Sequence, residues 1–298
     1  TGMSAKGKKS EIYYFLKKSL WFDKNSGKVC AKYGDYYKPF LSATLEEINK
    51  LLLRDNPENF AYSVQKRLEE ILIDFLKYHH SKLGLKKINL CLSGGCMANV
   101  KLNFELSKLS FVKNIYISPA MGDGGNALGG ALNILSNKLN INHIKMPNLY
   151  LGSNYSSKDI KILLKKKKVN FEDIKDNKIS RTVELMKKNK IIGWFQGKME
   201  YGPRALGSRS ILVSACDVKI NQILNKRLNR NEHMPFAPII ISDLAKKCLK
   251  GWNDSQVASK FMTICYECTS YLKMKSPAVI HVDNTVRPQV LFREDNKV

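Results

Sequence analysis

Two glycine-rich turns constrain the fold most, because each follows a short apolar stretch and precedes a helical pattern. The first turn, Ser93-Gly94-Gly95, follows a strand-like stretch at 88–92 and precedes helical spacing over 98–106. The second turn, residues 121–125, follows a strand-like stretch at 114–117 and also leads into a helix. Repeated units of strand, turn and helix are typical of α/β domains. The sequence therefore predicts an α/β fold.

An Asn- and Ser-rich stretch at 137–158 divides the chain into two parts. We therefore predict two domains, at 1–150 and 151–298. A long buried helix is predicted at 58–83, where apolar residues recur at helical spacing and Gly84 follows. In the second domain helices are predicted at 157–168, 180–189, 217–227 and 242–249, and strands at 191–195, 211–214, 237–241, 261–267 and 279–291.

The chain is strongly basic, with 50 Lys and Arg residues against 26 Asp and Glu residues and a formal net charge of +24. Such a charge is typical of proteins that bind nucleic acids, but it suits an anionic small substrate equally well. The excess is mostly lysine spread along the chain, and its densest run, Lys165 to Lys168, fits a solvated helix face. We therefore interpret the excess as a broad compositional bias rather than as a nucleic-acid site.

Polar residues interrupt every hydrophobic stretch before it reaches the roughly 18 residues of a membrane span, so we expect a soluble, cytoplasmic protein. The seven cysteines are odd in number and dispersed, which fits free thiols in a reducing compartment. Cys265 and Cys268 form a lone CxxC pair without the second Cys or His pair of a zinc site. We interpret them as core or surface thiols.

Both glycine turns are candidate ligand loops. Backbone N–H groups at a strand-to-helix turn can face an anion or a nucleotide, and glycine permits close approach. Paired glycines also serve tight turns that bind nothing, although two such turns in tandem favour the ligand interpretation. Asp123 lies within the second turn, where it is either a turn-stabilising residue or a carboxylate ligand for a metal. The residues alone do not separate these two roles.

The densest group of chemically active residues lies between Gly197 and Ser210. This segment holds Lys198, Arg204 and Arg209 together with three glycines and a proline. Lysine and arginine bind phosphate oxygens, while glycine N–H groups and serine hydroxyls are further donors. The segment therefore predicts a cradle for phosphate or carboxylate groups. The alternative is a solvated basic loop.

Several stretches resemble the NodU/CmcH/TobZ family of ATP-dependent O-carbamoyltransferases. The carboxy-terminal domain of that family is similar to GWFQGKMEYGPRALGSRSIL at 193–212, PFAP at 235–238 and HVDNTVRPQ at 281–289. The second half of its amino-terminal domain is similar to LCLSGGCMAN at 90–99, GDGGNALGGA at 122–131 and GMSAKG at 2–7. The chain is thus identified as a member of this family, with both ends cut from a longer protein.

The resemblance implies both a fold and a reaction. Residues 1–150 would belong to an actin/Hsp70-type, Kae1-like ATPase-fold domain, and 151–298 would form a YrdC-like α/β domain. The YrdC-like domain would make carbamoyl-adenylate from carbamoyl phosphate and ATP, and the Kae1-like domain would transfer the carbamoyl group to a hydroxyl of a sugar or other small metabolite. ATP with Mg²⁺ is the implied cofactor, and the full-length protein would also hold Fe²⁺ or a similar transition metal. The oligomeric state stays open.

The resemblance also implies roles for individual residues. Four cations would hold phosphates and stabilise developing charge: Lys198, Arg204, Arg209 and Arg230. Substrate would contact Glu200, Gly202, Ser208, Ser210 and Arg287. The nucleotide would contact Ser93, Gly94, Gly95, Asn99, Gly122, Gly124 and Gly125. The metal would be bound by Asp123.

The chain departs from the family pattern in two ways. Lys198 stands where the family usually has arginine, and Leu228-Asn229-Arg230 where many members have a Lys-x-Arg pair. The family's metal site also uses two histidines of a His-x-x-x-His element, whereas His79 and His80 are adjacent here. The alternative function is RNA binding or tRNA threonylcarbamoyl modification, since Kae1 and YrdC relatives act on tRNA and a charge of +24 suits RNA. The 197–212 segment favours small-molecule carbamoyl transfer.

Overall fold

The computed structural model describes residues 1–32, 46–141, 146, 148–174, 177–230 and 234–293. Its helices are α1 (Glu11–Ser19), α2 (Glu46–Arg54), α3 (Pro57–Leu83), α4 (Val100–Ser107), α5 (Asn126–Leu139), α6 (Ser157–Lys166), α7 (Lys178–Lys187), α8 (Ile220–Arg227), α9 (Ser242–Cys248) and α10 (Ser270–Lys275). Its strands are β1 (Leu20–Asp23), β2 (Lys28–Ala31), β3 (Ile88–Leu92), β4 (Val112–Ile117), β5 (Ile192–Phe195), β6 (Arg209–Leu212), β7 (Ile239–Ile241), β8 (Tyr266–Glu267), β9 (Thr285–Val286) and β10 (Gln289–Leu291).

This mixture of helices and small sheets confirms the α/β class, while the Kae1-like and YrdC-like assignments stay predictions. The sheets are two-stranded; β3–β4 and β7–β10 are parallel, whereas β1–β2, β5–β6 and β8–β9 are antiparallel. Within the described ranges, no helix has the length and apolar character required to cross a membrane.

The first predicted unit of strand, turn and helix is confirmed by β3 and α4. β3 pairs in parallel with β4, with Leu90 opposite Ile115. Leu102 of α4 and Ile117 of β4 are completely buried in the same hydrophobic cluster. Because the strands are parallel, their carboxyl ends meet at one edge of the sheet. Both glycine turns therefore lie at that edge.

The long helix α3 begins and ends where the sequence signals predict. Asn56 caps its start, since its side chain accepts a hydrogen bond from the backbone N–H of Asn59 at 2.7 Å. Pro57 occupies the first turn, where a missing N–H costs nothing. Gly84 ends the helix in the left-handed conformation, with φ of +65°.

The prediction that α3 is buried through its apolar residues needs correction. The apolar residues are mostly half-buried, and Val64 is 44% exposed. The most buried side chains in the first half of α3 are polar and include Ser63, Gln65 and Glu69. This difference arises because α3 packs against the amino-terminal 3-10 helix Met3–Lys6, which the apolar spacing does not reveal.

Two strands predicted near the carboxy terminus are wrong in extent. In place of one strand at 279–291, the chain forms a 3-10 helix followed by the short strands β9 and β10. Pro277 and Pro288 cannot donate a backbone N–H to a sheet, which limits the strands on either side. In place of the strand at 261–267 only β8 forms, because Met262 adopts a left-handed φ of +54°.

The cation-rich segment is the connection of an antiparallel hairpin. β5 and β6 pair with Trp194 opposite Ser210, and residues 196–208, which we call the hairpin loop, join them. β6 begins at Arg209, two residues before the strand predicted at 211–214. The hairpin brings the two ends of the loop together, so the loop must fold back on itself.

The largest hydrophobic core contains residues from both sides of the predicted domain boundary. Leu102 belongs to the same buried cluster as Ile264 and Val290. A backbone hydrogen bond also joins the Cys265 N–H to the Val100 carbonyl at 3.4 Å. The boundary at residue 150 stays a prediction, while the shared core fixes β3, β4 and α4 relative to the second half of the chain.

Candidate functional site

The two glycine turns lie side by side at the carboxyl edge of β3 and β4. We call residues 93–99 the first glycine loop and residues 118–125 the second glycine loop. The backbone N–H of Gly94 donates to the Met121 carbonyl at 2.7 Å and so joins the two loops. Asn99 ends the first loop and caps α4 through its side chain. The two turns that the sequence marks as candidate ligand loops are therefore neighbours in space.

Most glycines of these loops leave open space beside the backbone. No atom within 4 Å would meet a Cβ atom added to Gly94, Gly95, Gly122 or Gly124. Gly125 differs, because a Cβ there would lie 2.1 Å from the carbonyl oxygen of Ala120. Packing therefore requires glycine at 125, whereas the other glycines leave the loop backbone accessible to a ligand. The nucleotide contacts assigned to these residues and to the exposed Ser93 stay predictions.

The hairpin loop folds around one buried carboxylate. Glu200 Oε1 accepts hydrogen bonds from the backbone N–H groups of Leu206, Ser208 and Arg209 at 2.8, 2.7 and 3.1 Å. Burial raises the pKa of Glu200, but these backbone hydrogen bonds outweigh burial and hold the pKa below its usual value. The ionised carboxylate therefore shapes the loop from within. The substrate contacts assigned to Glu200 and Ser208 stay predictions.

Arg209 is also engaged by the protein itself. Its Nη1 donates to the Gln196 carbonyl at 2.8 Å and its Nη2 to the Ser153 carbonyl at 3.2 Å, and two further carbonyls of the hairpin accept from the same guanidinium. The guanidinium also stacks on Phe195, with 3.6 Å between Cζ and the ring centroid. These contacts tie the hairpin loop to its strands and to the segment before α6.

Arg204 has fewer protein partners than Arg209, and no carboxylate of the described residues pairs with it. Its Nη2 donates to the Ala98 carbonyl of the first glycine loop at 3.3 Å. Its Nε is buried and makes no hydrogen bond within the described ranges. Burial lowers the pKa of the guanidinium, and such a desolvated cation is stabilised by an anion. Arg204 is therefore the strongest candidate in the loop for an anion ligand.

The hairpin loop packs directly on the second glycine loop. The Tyr201 hydroxyl donates to the Gly124 carbonyl at 3.3 Å. Gly202 has φ of +99°, and a Cβ there would lie 3.2 Å from the Pro119 carbonyl oxygen. Glycine at 202 thus satisfies both an unusual backbone angle and a close approach. The cationic cradle and the glycine loops, which the sequence presents as separate sites, form one continuous region.

Four arginines converge on a cleft of 1180 Å³. Arg204 and Arg209 come from the hairpin, while Arg230 follows α8 and Arg287 precedes β10. The Arg230 guanidinium lies 5.1 Å from the ring centroid of Phe236. Ser210 lines the cleft as well. The structure therefore brings together five of the residues assigned to phosphate and substrate, on a wall that is otherwise largely apolar.

The other assigned residues lie outside the wall of this cleft. Lys198 is exposed on the hairpin loop, and neither Glu200, Gly202 nor Ser208 lines the cleft. The residues of the two glycine loops do not line it either. They adjoin it through Tyr201, Gly202 and Arg204. The site thus has two parts, an arginine cleft and a glycine-loop surface, with the 201–204 turn between them.

Asp123 is exposed at the start of a 3-10 helix in the second glycine loop. Within the described ranges, no three His, Cys, Asp or Glu side chains come together in a way that could hold a metal ion. His79 Nε2 instead contacts the Gly27 carbonyl at 3.1 Å, and His80 stacks on Phe111. The described residues do not fit the transition metal that the resemblance implies, so we derive no step through one.

The cysteines of the CxxC pair are free and buried in the core. Burial raises the pKa of Cys265 to about 12 and that of Cys268 to about 11. Both thiols are therefore protonated at neutral pH. A protonated thiol neither binds a metal ion well nor reacts readily as a nucleophile. This agrees with the interpretation of the pair as core thiols.

Sequence reasoning missed a polar cluster beside the amino-terminal 3-10 helix. Glu69 and Lys101 face a common cavity there with His281 and Asp283. His281 and Asp283 fall within the 281–289 motif, and this motif is the one sequence signal that pointed toward the cluster. No signal pointed to Glu69, because α3 is recognised by its apolar spacing and its buried polar face has no characteristic motif.

The sequence matches family models over most of its length. Residues 13–132 match the model described as carbamoyltransferase N-terminus, and residues 183–298 match the model described as carbamoyltransferase C-terminus. The hairpin loop and all the residues that line the arginine cleft lie in the second match. Both glycine loops lie in the first.

Several curated relatives are similar to the chain at about 30% identity. An uncharacterised protein of Methanocaldococcus jannaschii, MJ1058, is 32% identical over 249 residues, which are 80% of this chain and 39% of the relative. Nodulation protein NolNO of Sinorhizobium fredii is 30% identical over 89% of the chain and 39% of its own length. Nodulation protein NolO of Bradyrhizobium diazoefficiens is 31% identical over 78% of the chain and 43% of its own length. The chain thus spans less than half the length of these relatives.

Proposed function

Because the chain belongs to the carbamoyltransferase family, we propose that it carries the carbamoyl-activating site and part of the transfer site of an ATP-dependent O-carbamoyltransferase. The activating site would be the arginine cleft, and the transfer site would include the two glycine loops. The substrates of the whole protein would be carbamoyl phosphate, ATP and a small molecule with an acceptor hydroxyl.

The proposal depends on the environment of the Arg204 side chain. It is a desolvated guanidinium with a buried Nε that makes no hydrogen bond within the described ranges, and it lines a cleft that three further arginines share. Carbamoyl phosphate and the triphosphate of ATP are both strongly anionic, and guanidinium groups bind such oxygens through paired N–H donors. A cleft of 1180 Å³ is also large enough for a nucleotide.

The proposed activation step balances in atoms and electrons. Water removes the phosphoryl group of carbamoyl phosphate, which gives carbamate and inorganic phosphate. A carbamate oxygen then attacks the α-phosphorus of ATP, the bond from that phosphorus to the bridging oxygen breaks, and pyrophosphate leaves with the electron pair. Mg²⁺ bound to ATP would neutralise part of this charge. Arg204 would stabilise the charge that develops on the phosphoryl oxygens.

The transfer step would use the glycine-loop surface. The acceptor hydroxyl attacks the carbamoyl carbon and loses its proton, and AMP leaves with the electron pair of the broken C–O bond. Exposed backbone at Gly94, Gly95 and Gly124 would lie against the nucleotide. Tyr201 contacts the second glycine loop and Arg204 contacts the first. The two parts of the site therefore adjoin, which favours passage of the adenylate between them.

The proposal is tested by pyrophosphate release in the full-length protein. Arg204→Ala should lower carbamoyl-phosphate-dependent pyrophosphate release from ATP by about 100-fold or more, the usual effect of losing a donor to developing charge. The matched control is Arg181→Ala, since Arg181 is an exposed arginine paired with Glu184 on α7. Near-normal release by a folded Arg204→Ala protein would contradict the proposal.

A further inference from the structure

A second cavity, which we call the polar cavity, lies apart from the arginine cleft. It has a volume of 310 Å³ and is bounded by the amino-terminal 3-10 helix, α3, α4 and the 281–285 segment. This volume is at the lower end of the usual range for small-molecule sites. The charged and amide side chains that line the cavity are Gln65, Lys66, Glu69, Lys101, Glu105 and Asp283.

Two of the three carboxylates in the polar cavity have close partners of their own. Asp283 Oδ2 pairs with Lys101 Nζ at 3.1 Å, and Asp283 Oδ1 contacts His281 Nδ1 at 2.9 Å. Glu105 Oε2 pairs with Lys108 Nζ at 2.7 Å. These carboxylates are therefore satisfied by the protein itself.

Glu69 is the exception. Its side chain is buried, with the residue only 7% exposed, and its Oε1 accepts a hydrogen bond from Gln65 Nε2 at 2.8 Å. Its Oε2 makes no hydrogen bond within the described ranges, since the nearest cation, Lys66 Nζ, lies at 3.9 Å. Burial raises the pKa of Glu69. Because Glu69 lines the polar cavity, this oxygen is open to a hydrogen-bond donor from a ligand.

The distance between Glu69 Oε2 and Lys66 Nζ indicates which kind of ligand could contact both groups. Glu69 Oε2 requires a hydrogen-bond donor, Lys66 Nζ can give a bond to an acceptor, and the two atoms are 3.9 Å apart. A hydroxyl both donates and accepts, and two hydroxyls on adjacent carbons could contact both groups together. We propose that the polar cavity binds a small polyhydroxylated ligand whose vicinal hydroxyls contact Glu69 and Lys66.

The cavity adjoins the first glycine loop through one side-chain pair. Asn99 Nδ2 donates to Gln65 Oε1 at 2.7 Å, and Gln65 also holds Glu69. The vicinal diol could therefore belong either to a free polyol or to the ribose of a nucleotide that reaches from the glycine loop. Only the nucleotide source rests on the proposed function; the diol chemistry is common to both sources.

The test is direct binding to the full 298-residue chain, measured by saturation-transfer NMR and calorimetry. The probes are myo-inositol and D-ribose as free polyols, and adenosine and 2′-deoxyadenosine as nucleosides. At least one diol-bearing probe should bind. If the source is ribose, 2′-deoxyadenosine should bind about tenfold more weakly than adenosine; if it is a free polyol, myo-inositol or D-ribose should bind by itself.

Glu69→Gln should weaken that binding about tenfold, because it replaces the acceptor while keeping the volume. Lys66→Met, at a partly exposed position, should weaken it as well and gives a second variant that is expected to fold. Glu46→Gln on exposed α2 is the control. Failure of every diol probe to bind the wild-type chain, or unchanged binding by folded Glu69→Gln and Lys66→Met proteins, would overturn the proposal. Since none of the probes carries a phosphate, this result is independent of the pyrophosphate-release assay.

Discussion

The hairpin loop and the two glycine loops both use unusual backbone geometry, but they are stabilised in different ways. The hairpin loop has an internal anion, Glu200, that collects three backbone N–H groups, and its Arg209 binds four carbonyls. The glycine loops are joined by one backbone hydrogen bond from Gly94 and have open space around most of their glycines. The first region is pre-organised, whereas the second leaves its backbone accessible to a ligand.

The largest effect on this contrast is expected from Glu200→Ala. Three backbone N–H groups would lose a charged acceptor, which should lower the free energy of unfolding by about 3 kcal/mol or more. Glu200→Gln keeps one acceptor oxygen and should lose about half as much. Urea denaturation of both variants measures the difference. Equal stability of the wild-type and Glu200→Ala chains would show that the loop does not depend on its carboxylate.

The same carboxylate predicts a pH dependence. Because the folded state holds the pKa of Glu200 below its usual value of 4.5, its contribution to stability is complete above that value and is lost as pH falls through the folded pKa. The free energy of unfolding should therefore decrease less in Glu200→Gln than in the wild-type chain between about pH 5 and pH 3. Parallel pH profiles for the two proteins would contradict this assignment.

Smaller changes in stability are expected when glycines of the hairpin loop and the glycine loops are replaced by alanine. Gly202→Ala combines a φ of +99° with a Cβ 3.2 Å from the Pro119 carbonyl oxygen and should cost about 2 kcal/mol or more. Gly94→Ala meets no neighbouring atom and incurs only the cost of its φ of +103°, about 1 to 2 kcal/mol. Gly124→Ala has neither problem and is the control, within about 0.5 kcal/mol of wild type. Thermal denaturation would refute the contrast if Gly124→Ala were as costly as Gly202→Ala.

Cysteine labelling compares the accessibility of the first glycine loop with that of the shared core. Cys91 and Cys96 are exposed around the first glycine loop, so iodoacetamide at about pH 8 should modify them readily. Cys265 is buried, and burial raises its pKa to about 12, so it should stay unmodified in the native chain and react only after unfolding. Peptide mass spectrometry measures both. Rapid native labelling of Cys265 would show that the shared core opens easily.

Local signals predicted the parts of this fold that depend on local chemistry. The stop at Gly84 and the strand at 88–92 both follow from neighbouring residues and are confirmed. The prediction of one long strand at 279–291 was wrong, because the apolar content of a segment does not show which of its backbone N–H and C=O groups pair with another strand. Pro288 alone removes one donor from that stretch.

The candidate site was predictable in composition but not in arrangement. The sequence marks Arg204 and Arg209 as equivalent cations five residues apart, yet one is held by four carbonyls and the other by a single carbonyl, that of Ala98. That contact spans 106 positions, so only tertiary packing creates it. Glu200 likewise appears as a ligand group in the sequence, because the backbone donors it collects cannot be seen there.

Arg204 is proposed to make the arginine cleft an anion site, and calorimetric titration of the chain measures this binding. The probes are carbamoyl phosphate and pyrophosphate, which need no nucleotide contact with the glycine loops. The wild-type and Arg181→Ala chains should bind both probes, and Arg204→Ala should bind them at least about tenfold more weakly, as expected for a lost charge-assisted hydrogen bond. If a folded Arg204→Ala chain bound both probes as tightly as the wild-type chain, Arg204 would not be the anion ligand of the cleft.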